Sequence, residues 1–256
     1  MAAQVTRFVR YRDGETTRYG ILEDQTIHEL RGGLFDQPAR TGATRRLSEA
    51  RLLWPCQAPK MLAVGLNYRS HLGDRPVPQQ PEIFYKPTSA LVEPEGSIRI
   101  PPGAKNVHFE GELVVVIGKR AKNVSTAEAL DYVFGVTCGN DVSERDWQRA
   151  DRQWWRAKGC DTFAPLGPCI AVGLDFPRSR LTLRLNGEVR QTQVISDLLF
   201  DVPTVVSFVS RHLTLEPGDV IYTGTPGSTG AMKPGDVVEV EIEGIGVLRN
   251  HVTDGT

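Results

Sequence analysis

The sequence predicts a β-rich α+β fold with a small N-terminal subdomain. Three observations lead there. Short runs rich in β-branched and aromatic residues recur between turn signals along most of the 256 residues. Two of these runs are separated only by Asn186-Gly187, a two-residue hairpin signal. Helical spacing of apolar residues occurs in few places, which argues against a ladder of alternating strands and helices.

Residues 1–55 contain β-like pieces at Val5–Tyr11, Tyr19–Glu23 and Thr26–Leu30, followed by a polar stretch, Arg31–Arg46. Trp54-Pro55-Cys56-Gln57-Ala58-Pro59 reads as a linker, because two prolines disfavour regular structure. It divides the subdomain, 1–55, from a larger domain, 60–256. In the larger domain the pattern predicts strands over Lys60–Leu66, Glu82–Lys86, Glu112–Gly118, Tyr132–Cys138, Pro168–Val172, Leu181–Leu185 and Val189–Val194. Three more are expected at Asp219–Thr223, Val237–Ile242 and Gly246–Val252. Pro-Gly-Asp-Val occurs twice, at Pro217–Val220 and Pro234–Val237, each a turn feeding a strand. Three helices are expected. Ser143–Trp155 starts with a serine cap and Asp146 three residues on, a capping-box pattern. Val202–His212 carries Val202, Val205, Val206 and Val209 at helical spacing, and Thr126–Asp131 is a short third.

The composition narrows the function. Thirty basic and 31 acidic residues leave a net charge of −1, with no basic stretch to suit a nucleic acid. The longest clean apolar run, Leu113–Ile117, is far too short to cross a bilayer, and Met1–Arg7 has no apolar signal core. Cys56, Cys138, Cys169 and Cys160 form no Cys-x-x-Cys pair, so they read as reduced thiols of a cytoplasmic protein and not as a zinc site.

Two carboxylates, Glu110 and Glu112, stand two residues apart at the start of the buried run Leu113–Ile117, and so share a strand face. Asp141, at the end of another β-like run, is a third candidate. Three carboxylates at about 5 Å would repel by roughly 3 kcal/mol per pair at an effective dielectric of 20. A hard cation held by oxygen ligands, Mg²⁺, Mn²⁺ or Ca²⁺, removes that repulsion. A solvated strand end is the alternative.

His71 and Asp74 lie three residues apart in a Gly-containing segment. On a helical turn they share a face, and Asp74 would orient the imidazole as a base–orienter pair requires. The same spacing also fits a surface pair. The polar, proline-rich Arg75–Pro81 that follows suits a mobile lid. Lys158, among aromatic residues and glycine, is either a solvated end charge or a clamp for an oxyanion. Arg145 and Gln148 follow Asp141 at i+4 and i+7, one face of a helix. Thr223-Gly224-Thr225-Pro226-Gly227 is a turn whose hydroxyls and amides suit a carboxylate, or simply a tight loop.

Taken in order, these pieces resemble the fumarylacetoacetate hydrolase family. The pattern runs through Val64-Gly65-Leu66-Asn67-Tyr68 to His71, then Phe84-Tyr85-Lys86-Pro87 and His108 to Gly118. It continues with Gly139-Asn140-Asp141-Val142-Ser143, Arg145, Gln148 and Lys158-Gly159, and closes at Thr223-Gly224-Thr225-Pro226 and Gly235-Asp236. The resemblance implies the family's mixed β-roll, a small N-terminal domain and a homodimer. It implies that Glu110, Glu112 and Asp141 bind Mg²⁺ or Mn²⁺, that His71 and Lys158 are catalytic, and that Arg145, Gln148 and Thr225 contact substrate. Substrates of the family are short 2-oxo or 2,4-dioxo acids. Related enzymes often carry Glu where Asp74 stands here, one methylene longer. The first expectation is a metal-dependent hydrolase of acylpyruvate-type C–C bonds, passing through a pyruvate enolate. The same enolate serves an isomerase of 2-hydroxyhepta-2,4-diene-1,7-dioate or a decarboxylase of oxaloacetate-like acids in aromatic catabolism. A third alternative is a 2-oxo acid binder without turnover.

Overall fold

The computed structural model describes residues 4–255, so the first three residues of the expected subdomain and the last of the larger domain lie outside it. Two sheets form the frame. The larger has twelve strands, and its main path runs Ala39–Arg46, Thr26–Arg31, Thr16–Glu23, Thr6–Asp13, Ala164–Val172, Val133–Asn140, Gly111–Ile117, Val220–Tyr222, Met61–Gly65 and Glu82–Lys86. The smaller orders Glu188–Val194, Arg180–Leu185, Val237–Ile242, Gly246–Asp254 and Ser97–Ile100. Architecture and sequence pattern agree on a β-rich mixed fold. The strands of the first 55 residues extend the larger sheet directly, because Thr6 pairs with Val172 and Phe8 with Ile170.

Gly111–Ile117 shows how the core is organised. Every residue of it is buried, as expected of a strand covered on both faces. Alternate side chains enter different cores. Leu113, Val115 and Ile117 pack with Leu181, Leu183, Val238 and Val240 of the smaller sheet. Val114 and Val116 pack with Met61, Ala63, Leu166 and Tyr222 on the other face. Each such side chain contributes about 1.5–3 kcal/mol by burial, so the strand that carries Glu112, with Glu110 immediately before it, is fixed from both sides.

The turns follow local chemistry. Asn186 and Gly187 take φ of +54° and +82°, which a two-residue hairpin of this hand demands. In both Pro-Gly-Asp turns the aspartate accepts from the amide three residues back, Glu216 N to Asp219 at 2.7 Å and Lys233 N to Asp236 at 2.8 Å. The helix Val202–His212 is capped by Asp201, which accepts from Thr204 N at 2.9 Å.

Three local expectations are corrected. The polar stretch Arg31–Arg46 contains an edge strand, Ala39–Arg46, almost wholly exposed and therefore without apolar alternation. The expected helix Ser143–Trp155 breaks in two, Arg145–Ala150 and Trp155–Gly159. Ser143 is not its cap. Ser143 pairs in a short ladder with His108 and donates its hydroxyl to Asp141 O at 2.7 Å, while Glu144 caps Trp147 N at 2.6 Å. Thr126–Asp131 forms turns leading to a 3-10 segment, Ala129–Tyr132.

Candidate active site

Adjacent strand ends bring the three acids together. Gly111 lies opposite Asn140 in the ladder, Glu110 N donates to Asn140 Oδ1 at 2.8 Å, and Asp141 N donates to Glu110 O at 2.9 Å. Each of Glu110, Glu112 and Asp141 therefore offers an oxygen within 4.8 Å of the others, and none is more than 3% exposed. They form the floor of a cavity of about 380 Å³, within the usual size for a small-molecule site.

Three buried or half-buried cations answer the acids. Lys158 donates to Glu110 and, at 2.6 Å, to Asp141 Oδ2. Lys86 donates to Asp141 Oδ1 at 2.6 Å and to the carbonyl of Lys158. Arg145 donates to Glu110, to Thr229 Oγ1 at 2.8 Å and to Gln148 Oε1 at 2.7 Å. The short helices explain this reach: Arg145–Ala150 presents Arg145 and Gln148, and Trp155–Gly159 buries Lys158. Burial disfavours the Lys158 charge, but Asp141 and Glu110 outweigh it and hold the ammonium above its ordinary range. For Lys86, burial, aided by Lys158, wins over Asp141 and pushes the ammonium down. Burial raises Glu110, but Arg145, Lys158 and His71 together bring it well below the usual carboxylate range.

Glu112 is the exception. Burial, Asp141 and Glu110 push it well above the usual range. Among the described residues its hydrogen bond is from Gly224 N to Oε2, at 2.7 Å. Gly224 has φ of +106°, and a Cβ there would lie 2.7 Å from that of Asn67, so only glycine delivers this amide. A buried carboxylate short of positive charge, beside two others and no soft ligand, fits a hard divalent ion. The Lys158 ammonium already bridges two of the three acids.

His71 and Thr225 line the same cavity. His71 Nδ1 lies 2.6 Å from Gly227 O. A carbonyl only accepts, so Nδ1 carries a proton. Nε2 then faces inward, 3.9 Å from Glu110 Oε1. Asp74 does not orient this ring. It is exposed, away from the cavity wall, and makes no hydrogen bond to His71 among the described residues. The reason is the local geometry: the helical turn is a 3-10 segment of only three residues, Arg69–His71, and the Gly227 carbonyl takes the orienting place. Thr225 has its hydroxyl committed, donating to Gly111 O and accepting from Gln191 Nε2, both at 2.9 Å.

Two participants have no role in the sequence reading. Lys86 stands in the Phe-Tyr-Lys-Pro pattern, and a lysine closing the strand after Ile83, Phe84 and Tyr85 is its only local signal. His108 precedes the acidic pair. Its Nε2 lies 2.7 Å from Asn106 Oδ1, an acceptor, so its Nδ1 accepts from the Thr229 hydroxyl at 2.9 Å. Burial and then Arg145 push this imidazolium down to about 4.

The family model for the fumarylacetoacetate hydrolase C-terminal domain matches residues 60–253, and an Rv2993c-like N-terminal model matches 6–55. An oxaloacetate tautomerase, FAHD2A, of Bos taurus mitochondria is 41% identical, covering 80% of this chain and 70% of its own. The crystal structure of a 2-hydroxyhepta-2,4-diene-1,7-dioate isomerase from Mycobacterium marinum superposes with a TM-score of 0.92 at 41% identity, covering 97% of this chain and 98% of that one. A maleylpyruvate hydrolase from Sphingobium, in complex with manganese(II) and pyruvate, gives 0.82 at 28% identity over 98% and 100%. Fold, acidic floor and the matched 60–253 segment agree: the chain belongs to the fumarylacetoacetate hydrolase family.

Proposed function

We propose that this chain is a divalent-metal-dependent enzyme that moves protons at the carbon next to the keto group of 2-oxo acids, as an isomerase or tautomerase. His71 carries the reading: with Nδ1 fixed on Gly227 O and Nε2 turned to the acids, it is held as a single-proton shuttle. Glu110, Glu112 and Asp141 would hold Mg²⁺ or Mn²⁺, which polarises a 2-oxo group as a Lewis acid. His71 would take the proton from C3 and return it to carbon. Lys158 would stabilise the negative charge that develops on oxygen. Arg145 and Gln148, locked to each other, would hold the 1-carboxylate.

The second reading is the C–C hydrolase of acylpyruvates. The manganese- and pyruvate-containing Sphingobium neighbour favours it. It needs His71 to activate water, and the acid expected to support that base, Asp74, does not touch the ring. The test is proton NMR in D₂O with Mg²⁺, following oxaloacetate, acetylpyruvate and 2-hydroxyhepta-2,4-diene-1,7-dioate against enzyme-free controls. Deuterium entering carbon or double-bond migration without cleavage, lost in His71→Ala, supports proton transfer. Release of pyruvate and acetate from acetylpyruvate supports hydrolysis instead, and no change in any substrate removes both. We further propose a homodimer. The edge strand Glu82–Lys86 carries Tyr85, 60% exposed, beside Trp155 at 71%, and both aromatics suit an interface.

A further inference from the structure

We propose that Arg75 reads a second carboxylate, on the end of the 2-oxo acid remote from the keto group, and so makes this chain prefer dicarboxylates. The proposal rests on the 2-oxo acid reading above for the placement of the first carboxylate.

The cations at the cavity differ in one respect. Lys158 is bound to Glu110 and Asp141, and Arg145 to Glu110, Gln148 and Thr229. Arg149 pairs with Asp146. Arg75 also lines the cavity, yet its guanidinium has no hydrogen bond and no acidic partner among the described residues. The residue is not on a loose stretch. Its amide donates to Leu72 O at 3.2 Å, and Leu72 is 5% exposed, so the turn is pinned to the core. Pro76 on its other side fixes one backbone angle.

The walls agree with a two-ended ligand. Val64, Leu66, Leu72 and Trp154 line the same space as the acids and Arg145, supplying apolar surface for a carbon chain. Glu110 and Asp141 are already paired with Lys86, Lys158 and Arg145 before any ion arrives. Arg75 is therefore surplus positive charge at the cavity. A guanidinium offers a planar fork that matches a carboxylate and is less strongly hydrated than an ammonium.

Binding can be measured without turnover. The full chain with saturating Mg²⁺ is titrated by calorimetry with matched acids: 2-oxoglutarate against 2-oxopentanoate, 2-oxoadipate against 2-oxohexanoate, and 2-oxopimelate against 2-oxoheptanoate. In each pair only the terminal carboxylate differs. The expected result is a preference for the diacid of about 10-fold or more at one length, the size of one charge-assisted pair. Arg75→Gln should reduce that ratio to about 2-fold or less and leave the monoacid Kd unchanged, whereas Arg75→Lys should keep part of it. Because Arg75 is exposed and unpaired, both variants should melt as the parent does. No diacid preference at any length overturns the proposal. So does a preference that survives Arg75→Gln, or an equal loss for both members of a pair. If the diacids bind as expected but no proton exchange occurs at C3, the proposed reaction falls and Arg75's role stands. Failure of all six acids to bind removes both.

Discussion

Replacing Lys86 with methionine tests whether the acidic floor is held together by its lysines or by a metal ion. The Lys86 side chain is fully buried and that of Asp141 is 2% exposed, with 2.6 Å between them. Methionine keeps the volume and removes the charge. Asp141 Oδ1 and the Lys158 carbonyl then both lose a donor. Breaking one side of a buried ion pair costs about 3–5 kcal/mol. At 2–4 °C per kcal/mol for a chain near this size, the melting temperature in a chelator should fall by about 6–20 °C. A divalent ion acts in the opposite direction. Without the neighbouring ammonium the floor is one unit more negative, so the ion binds more tightly and restores more stability. Thermal denaturation of Lys86→Met and the parent, each with EDTA and with Mn²⁺, measures both effects. The gap should narrow clearly with Mn²⁺. A change under 2 °C in EDTA would show that Lys86 is not holding Asp141. A gap of the same size with and without Mn²⁺ would show that the acids and the ion do not share a site.

Other substitutions separate the parts. Glu112→Ala should abolish the Mn²⁺-dependent rise in melting temperature, which for the parent is worth about 2.7 kcal/mol at one hundred times Kd; a full rise in the variant would refute the triad as the ion's seat. Gly224→Ala should lower activity and metal affinity by forcing the Glu112-binding amide away, since its Cβ meets Asn67 at 2.7 Å; unchanged metal affinity by calorimetry would contradict this. Burial, the larger cause, raises the Cys56 and Cys169 thiols to about 12, against an ordinary value of 9.0. The folded chain thus keeps protons that the unfolded chain releases above about pH 9, so stability should fall from pH 9 toward 12, and a flat melting temperature between pH 8.5 and 10.5 would count against it.

The strand frame was legible because burial on both faces leaves a plain signature. Leu113–Ile117 is an apolar run, and the strand containing it is paired on both sides. Ala39–Arg46 escaped for the opposite reason: an exposed edge strand needs no apolar residue. The acidic triad was legible because strand period places Glu110 and Glu112 on one face, and a neighbouring strand end supplies Asp141. The expected Asp74–His71 pair failed because sequence spacing assumes a regular turn, and a carbonyl from Gly227, more than 150 residues away, takes the place. Lys86 and His108 were illegible in a similar way. Their partners, Asp141 and Thr229, are distant in sequence, and a single lysine or histidine announces nothing until those partners are in place.

Charge balance links these residues to the chemistry. Three acids in an apolar setting would destabilise the fold, yet the chain does not leave their neutralisation to an ion. Lys86, Lys158 and Arg145 supply positive charge to Glu110 and Asp141, and Glu112 is left without an ion pair among the described residues. A divalent ion would add further positive charge to the site, which strengthens the binding of an anionic ligand. Metal should therefore strengthen 2-oxo acid binding, and the acid must strengthen metal binding by the same factor. Lys158 then has two uses for one ammonium. It stabilises Glu110 and Asp141 without the ion, and is released from part of that role when an ion takes their oxygens. Lys158→Met should therefore cost stability mainly in a chelator and activity mainly with metal. Loss of both only in the same condition would show that the lysine serves a single role.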